Sequence, residues 1–236
     1  MPENTVLPID ENTRRYYLDV MGIQCWESIG STEKSADGAE VAEAIEDDTD
    51  SFTALDDTIQ QCGQCSLHES RKQAITGRGS LSAELMFILI GPDEADDKAA
   101  MICSGDADKL LTKMLAAINV PVNDVYITSL LKCTVSATHT VSTTELHHCK
   151  HHLKQQIRLI KPKLLVILGE TAARCMLQES LPLDDLRSAA NVDVGQKQFE
   201  AVPLVISYSP QELMQQPDSK RKAWSDLQQI QKIIQV

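Results

Sequence analysis

From about position 58 onward, apolar residues fall alternately into short unbroken runs and into helically spaced stretches. Leu85-Met86-Phe87-Ile88-Leu89-Ile90 is a continuous apolar run that stops at Gly91-Pro92. A run of that length bounded by turn residues predicts a strand covered on both faces. Val125 to Leu131, Leu164 to Gly169 and Leu204 to Tyr208 predict three more. Between them, Leu110, Leu111, Met114, Leu115 and Ile118 recur at helical spacing behind Asp106 or Asp108, either of which can cap a helix. Ser142-Thr143-Thr144-Glu145 reads as a capping box, opening a helix through Leu146, Leu153, Ile157 and Ile160 that Pro162 ends. Thr171 to Leu177 and Ala223 to Ile234 predict two further helices. Strand and helix alternating at this spacing predict an α/β fold, a mostly parallel sheet with helices on both faces.

Composition divides the chain of 236 residues into three stretches. Residues 1–28 hold a compact apolar and aromatic peptide, residues 29–57 an acidic flexible linker, and residues 58–236 the folded body. The linker carries ten acids against the single base Lys34, and its small polar residues cannot offset the entropy of ordering. The formal charge of −12 therefore sits entirely outside the body, which has nineteen residues of each sign. A neutral body lacks the basic excess that tight non-specific duplex binding requires, so protein partners are expected before naked DNA, and no membrane. No apolar run approaches eighteen residues, which gives the expectation of a cytoplasmic protein.

Four cysteines stand in two pairs, Cys62-x2-Cys65 and Cys133-x15-Cys149. The second pair straddles the end of one strand and the start of the next helix, so the pairs can converge. Four soft thiolates suit an iron–sulfur cubane or tetrahedral zinc. Zinc ribbons usually repeat the tight spacing in both halves, which favours iron–sulfur here; unrelated buried thiols remain the alternative. Cys25, Cys103 and Cys175 have no metal-like spacing. His147, His148, His151 and His152 form two i,i+4 pairs without an accompanying carboxylate base and read as a solvated helix start. Asp93, Glu94, Asp96 and Asp97 read as solvated loop charge, and Lys220, Arg221 and Lys222 as a patch too small to define a DNA-binding protein.

The order of Cys62-x2-Cys65, Val125-Tyr126-Ile127-Thr128-Ser129-Leu130-Leu131-Lys132-Cys133, Glu145-x3-Cys149, Gln155-Gln156-Ile157, Lys161-Pro162-Lys163, Leu168-Gly169-Glu170-Thr171-Ala172-Ala173 and Trp224-Ser225-Asp226-Leu227 resembles the iron–sulfur uracil-DNA glycosylases. The resemblance implies a three-layer α/β/α sandwich around a four-stranded mostly parallel sheet. It also implies a 4Fe-4S cluster on Cys62, Cys65, Cys133 and Cys149. At the positions of that family's chemistry the residues differ. The turn of the first motif is shortened to Gly91-Pro92-Asp93-Glu94, with Gly91 and Asp93 in the places of its backbone and carboxylate. Cys103 replaces the aromatic that stacks on the base, Ser129 the asparagine that reads its edge, and Ser209 the histidine that stabilises its departure.

The amino-terminal Arg14-Arg15-Tyr16-Tyr17-Leu18-Asp19-Val20-Met21-Gly22-Ile23-Gln24-Cys25-Trp26 resembles the amino-terminal peptide of the psi subunit of bacterial DNA polymerase III holoenzyme. That likeness implies a non-catalytic adaptor whose peptide docks on the clamp-loader collar subunits and whose body binds the chi subunit, giving an indirect link to single-strand-binding protein. A short helix ended by Gly22 would bring Arg15, Tyr17, Leu18 and Met21 to a partner, with Ile23 and the anchor Trp26 following in extended chain. Taken with the lost side chains, the expectation is an adaptor without enzymatic activity; the alternative is a glycosylase of DNA repair with altered or weak base excision.

Overall fold

Successive residues of the central strands face opposite sides of one sheet, and each side has its own apolar layer. In the computed structural model, residues 48–136, 139–192 and 194–234 are described. The strands are β1 (Arg78–Gly79), β2 (Leu85–Leu89), β3 (Tyr126–Ser129), β4 (Leu164–Leu168), β5 (Gln198–Phe199) and β6 (Val202–Ser207). Met86 and Ile88 of β2, Leu165 and Ile167 of β4 and Leu204 and Ile206 of β6 enter one cluster. Leu85, Phe87, Leu89, Leu164, Val166, Leu168 and Val205 enter the other. This period of two, with both faces apolar, is why the strands read as unbroken runs.

The sheet order is β1-β3-β2-β4-β6-β5. β3, β2, β4 and β6 are parallel neighbours, and β1 and β5 add antiparallel edges. The sheet is therefore mixed and six-stranded, which corrects the expected four strands. A strand of two residues, held by its neighbour's backbone, has no hydrophobic period for a sequence to display.

Among the described residues the α-helices are α1 (Asp48–Gln60), α2 (Glu94–Ala99), α3 (Gly105–Ala117), α4 (Thr143–Ile160), α5 (Glu170–Leu177), α6 (Leu183–Asn191), α7 (Pro210–Gln215) and α8 (Lys220–Ile234). α3 and α8 cover one face through Leu111, Leu115, Leu227 and Ile230. α4, α5 and α6 cover the other through Leu153, Ile157, Met176 and Leu186. The predicted capping box of α4 is present in both halves. The start of α3 is not as predicted: Ser104 occupies the cap and Asp106 and Asp108 lie in the first turn, where their charge complements the helix dipole. No helix among the described residues is long and apolar enough to cross a membrane.

α1 begins inside the stretch read as linker. Leu55 and Ile59 are buried with Ala74 and packed by Leu159 of α4, and Phe52 meets Tyr126 edge-on at 5.8 Å. A few apolar residues at helical spacing suffice once α4 offers them a surface, which composition alone does not register. Residues 29–47 of the linker lie outside the described residues, as do Arg15, Tyr17, Leu18, Met21, Gly22, Ile23 and Trp26.

Candidate active site

Two places gather chemistry: the four cysteines and the cavity at the carboxyl ends of the parallel strands. The cysteine pairs do converge. Cys65, Cys133 and Cys149 share one small apolar cluster with Leu67, Leu131, Val135 and Val141, and Cys62 lies near enough to weigh on the Cys133 thiol. All four are free thiols. Burial pushes the Cys149 thiol up to about 11 and raises that of Cys133, where the Arg71 guanidinium opposes the rise through a hydrogen bond to the sulfur at 2.8 Å. Ligation by metal would have to displace those protons, and Arg71 is placed to balance the resulting negative charge. No three His, Cys, Asp or Glu side chains among the described residues meet at the position of a single ion. A four-iron cluster takes one thiolate per iron, so its ligands surround a cubane and need not meet at a point. Four soft donors around an apolar pocket fit such a group.

The cavity, of about 430 Å³, lies where the turns after β2, β4 and β6 and the loop after β3 come together, as open α/β sheets commonly provide. Gly91 forms its β2 side. A Cβ there would stand 2.8 Å from Val135 Cγ2, so any larger residue would have to push the Val135 side chain aside. Gly169 begins α5 at φ +97°, and a Cβ would meet Ser209 at 3.2 Å. Glu212 ties the two turns by accepting Glu170 N–H at 2.8 Å on one oxygen and Ser209 N–H at 2.9 Å on the other.

Of the five positions singled out by the resemblance, Gly91, Asp93 and Ser209 line this cavity. Asp93 caps α2, its Oδ1 accepting the N–H groups of Ala95 and Asp96 at 2.8 Å each. Ser209 caps α7, accepting Glu212 N–H at 3.2 Å. The other two positions turn away. Ser129 is buried and donates its hydroxyl to Leu131 O at 2.7 Å. Cys103 is buried at φ 56°, its thiol raised to about 12, chiefly by burial.

Asp96 corrects the reading of the acidic loop as solvated charge. It is 2% exposed and accepts N–H groups from Asp93, Cys103 and Ser104, fixing the segment that carries Cys103. The histidine stretch is also only partly solvated. His147 and His151 are exposed, whereas His152 is buried with Nδ1 unpartnered among the described residues, and burial lowers its pKa.

Sequence reasoning missed the imidazole that this cavity does contain. His139, in the loop after β3, lines it, and its Nε2 lies 3.0 Å from Glu145 Oε2 at the start of α4. The sequence identifies Glu145 as half of a capping box, but a carboxylate oxygen can accept twice, and its second donor is tertiary.

Against known proteins, the family model of the uracil DNA glycosylase superfamily matches residues 76–228. The chain belongs to the uracil DNA glycosylase superfamily. It is 30% identical to a type-4 uracil-DNA glycosylase of Pyrobaculum aerophilum, covering 73% of this chain and 89% of that protein. It is 30% identical to the type-4 uracil-DNA glycosylase of Archaeoglobus fulgidus, covering 75% of this chain and 92% of the relative. A type-4 uracil-DNA glycosylase of Thermotoga maritima is 34% identical over 118 residues, covering 50% of this chain and 62% of that protein.

These relatives overturn the adaptor reading, and with it the expectation of a chain without enzymatic activity. For the first two relatives the likeness runs across about nine-tenths of a protein named as an enzyme, whereas the psi-like likeness rested on thirteen residues outside the described ones. The inference from lost side chains weighed single positions of one motif set. The cavity also takes polar groups from the loop after β3, which a weighing of single positions does not register.

Proposed function

We propose that the chain is a base-excision enzyme of DNA repair, hydrolysing the bond between deoxyribose and a deaminated base, with uracil the first substrate to test. The observation that carries this reading is the cavity at the carboxyl ends of β2, β4 and β6, lined by Gly91, Asp93 and Ser209 together. Its volume suits one base turned out of the strand, the geometry that chemistry on a base requires. Ile90, Val135, Val141 and Ala172 offer apolar contact. Asp93 keeps Oδ2 for a water at the sugar carbon, since its Oδ1 receives the two cap bonds. With Ser129 bonded inward, the base edge is read by other groups, which favours a base preference different from that of the relatives.

Cys62, Cys65, Cys133 and Cys149 would hold the 4Fe-4S cluster. Such a cluster supplies a cross-link between the segment after α1, the end of β3 and the start of α4, as well as a site for electron exchange. Arg71 would neutralise part of its charge, and Leu67, Leu131 and Val141 would shield it from water.

The test is incubation of the full chain with single- and double-stranded oligonucleotides carrying uracil or hypoxanthine, followed by alkaline cleavage. Strand scission at the lesion is the expected outcome. Intact strands for every lesion, at enzyme in excess over DNA, would reject the proposal.

A further inference from the structure

The cavity contains one imidazole, and it comes from an element other than the one that supplies it in the resemblance drawn from sequence. Ser209 stands in the turn after β6, where the family resembled has its histidine, and its hydroxyl already caps α7. Across the same cavity stands His139. Its backbone N–H donates to Ser136 O at 3.0 Å, and its ring is held from the other side by Glu145. Its Nε2 is bonded to Glu145 Oε2, and Nδ1 has no hydrogen-bond partner among the described residues.

Glu145 is well built for holding that ring. It is 4% exposed, accepts Ser142 N–H at 2.8 Å on the same oxygen and Ser66 Oγ–H at 3.3 Å on the other. Burial works against its charge, but the Ser142 and His139 hydrogen bonds outweigh it and keep the carboxyl below the ordinary glutamate range. A fixed anion behind an imidazole selects its orientation and tautomer and leaves the outer nitrogen for substrate.

We propose that His139, oriented by Glu145, is the catalytic imidazole of this chain, a role moved from the turn after β6 to the loop after β3. The inference rests on the base-excision reading above. As the bond from the sugar C1′ to the base nitrogen breaks, its electron pair passes to the base. The protonated imidazole hydrogen-bonds that nitrogen through Nδ1–H and then gives it the proton. Water adds its oxygen to C1′ and its proton to the Asp93 carboxylate, which returns it through solvent to His139. The products are a free base and an abasic sugar, with no other reactant.

The deciding experiment compares wild type, His139→Gln and Glu145→Gln as full-length protein under single turnover, with the affinity for the lesion-bearing strand measured separately. His139→Gln lies in a surface loop, so the fold is retained, as near-native circular dichroism would verify. Its rate should fall about 100-fold with affinity changed less than about threefold, and Glu145→Gln should lose about tenfold. An active wild type whose His139→Gln rate stays within about threefold, or falls only in step with affinity, overturns the inference and leaves the base-excision reading standing. An inert wild type rejects both.

Discussion

The Arg71 guanidinium lies against the Cys133 sulfur, Nη1 to Sγ 2.8 Å, while Nη2 of the same side chain donates to the carbonyls of Gln60 and Cys62. One cation thus bridges the end of α1, the first cysteine pair and Cys133 in the loop after β3. Replacing it with methionine removes a charge-assisted bond worth about 1.5–3 kcal/mol and leaves the sulfur charge uncompensated. With the proposed 4Fe-4S cluster assembled, Arg71→Met should bleach several-fold faster than wild type in air, read as loss of visible absorption and of protein-bound iron.

Cys149 should be the most telling ligand substitution. Its thiol is buried, so Cys149→Ser places a hydroxyl among Leu67, Leu131 and Val141 as well as removing a ligand. The expected result is loss of the visible absorption of the proposed cluster together with a drop in stability of about 1–3 kcal/mol by urea unfolding. A colourless variant with unchanged midpoint would separate the two effects.

Asp226 should show the largest stability effect outside the site. It is 3% exposed and accepts Arg187 on both oxygens, Ser207 Oγ–H at 2.7 Å and Asn191 Nδ2–H at 3.1 Å. Asp226→Ala removes the two-oxygen partner of Arg187, which retains Asp184 Oδ1 at 3.1 Å and the Lys222 carbonyl, and leaves the Ser207 hydroxyl without its acceptor; it should cost about 1–3 kcal/mol in denaturant unfolding.

The Asp93 carboxylate predicts a kinetic effect with a different signature. Asp93→Asn keeps an oxygen for the α2 cap but cannot take a proton from water, so excision should slow by about 100-fold or more while the melting temperature moves little. A matched fall in stability would point to the cap alone.

Glu145 gives a pH dependence whose sign follows from its lowered pKa. The unfolded chain takes up the proton at higher pH than the folded one, so stability rises with pH across the interval between the two values. The contribution is complete above the ordinary glutamate range and is lost as pH falls through the folded value. Glu145→Gln should therefore be less stable at neutral pH and show a shallower loss on acidification.

Much of the sheet was legible because β2, β4 and β6 are buried on both faces, so that their sequences contain little except apolar residues. α4 was legible through Ser142 and Glu145, which act within one turn of chain. Arg78–Gly79, Gln198–Phe199 and α1 were not, because each exists through a neighbour distant in sequence. The cavity divides in the same way. Gly91, Asp93 and Ser209 belong to turns between recognisable elements and could be placed by order along the chain. The His139–Glu145 pair depends on how a loop without periodicity folds back on the helix after it, and Cys103 and Ser129 could be assigned positions but not directions.

Lys132 is fully buried between Cys133 and the end of β3, its ammonium donating at 2.7 Å to Thr128 Oγ1, Ser129 O and Gln156 Oε1; Gln156 in turn reaches Thr76 O at 2.9 Å. Changing any one of these residues strands the hydrogen-bonding atom of another in a dry interior. Sequence drift at this corner must then come in concert. Orthologues that lose the lysine should have exchanged Thr128 and Gln156 for apolar residues in the same lineage, a correlated substitution that sequencing alone can reveal.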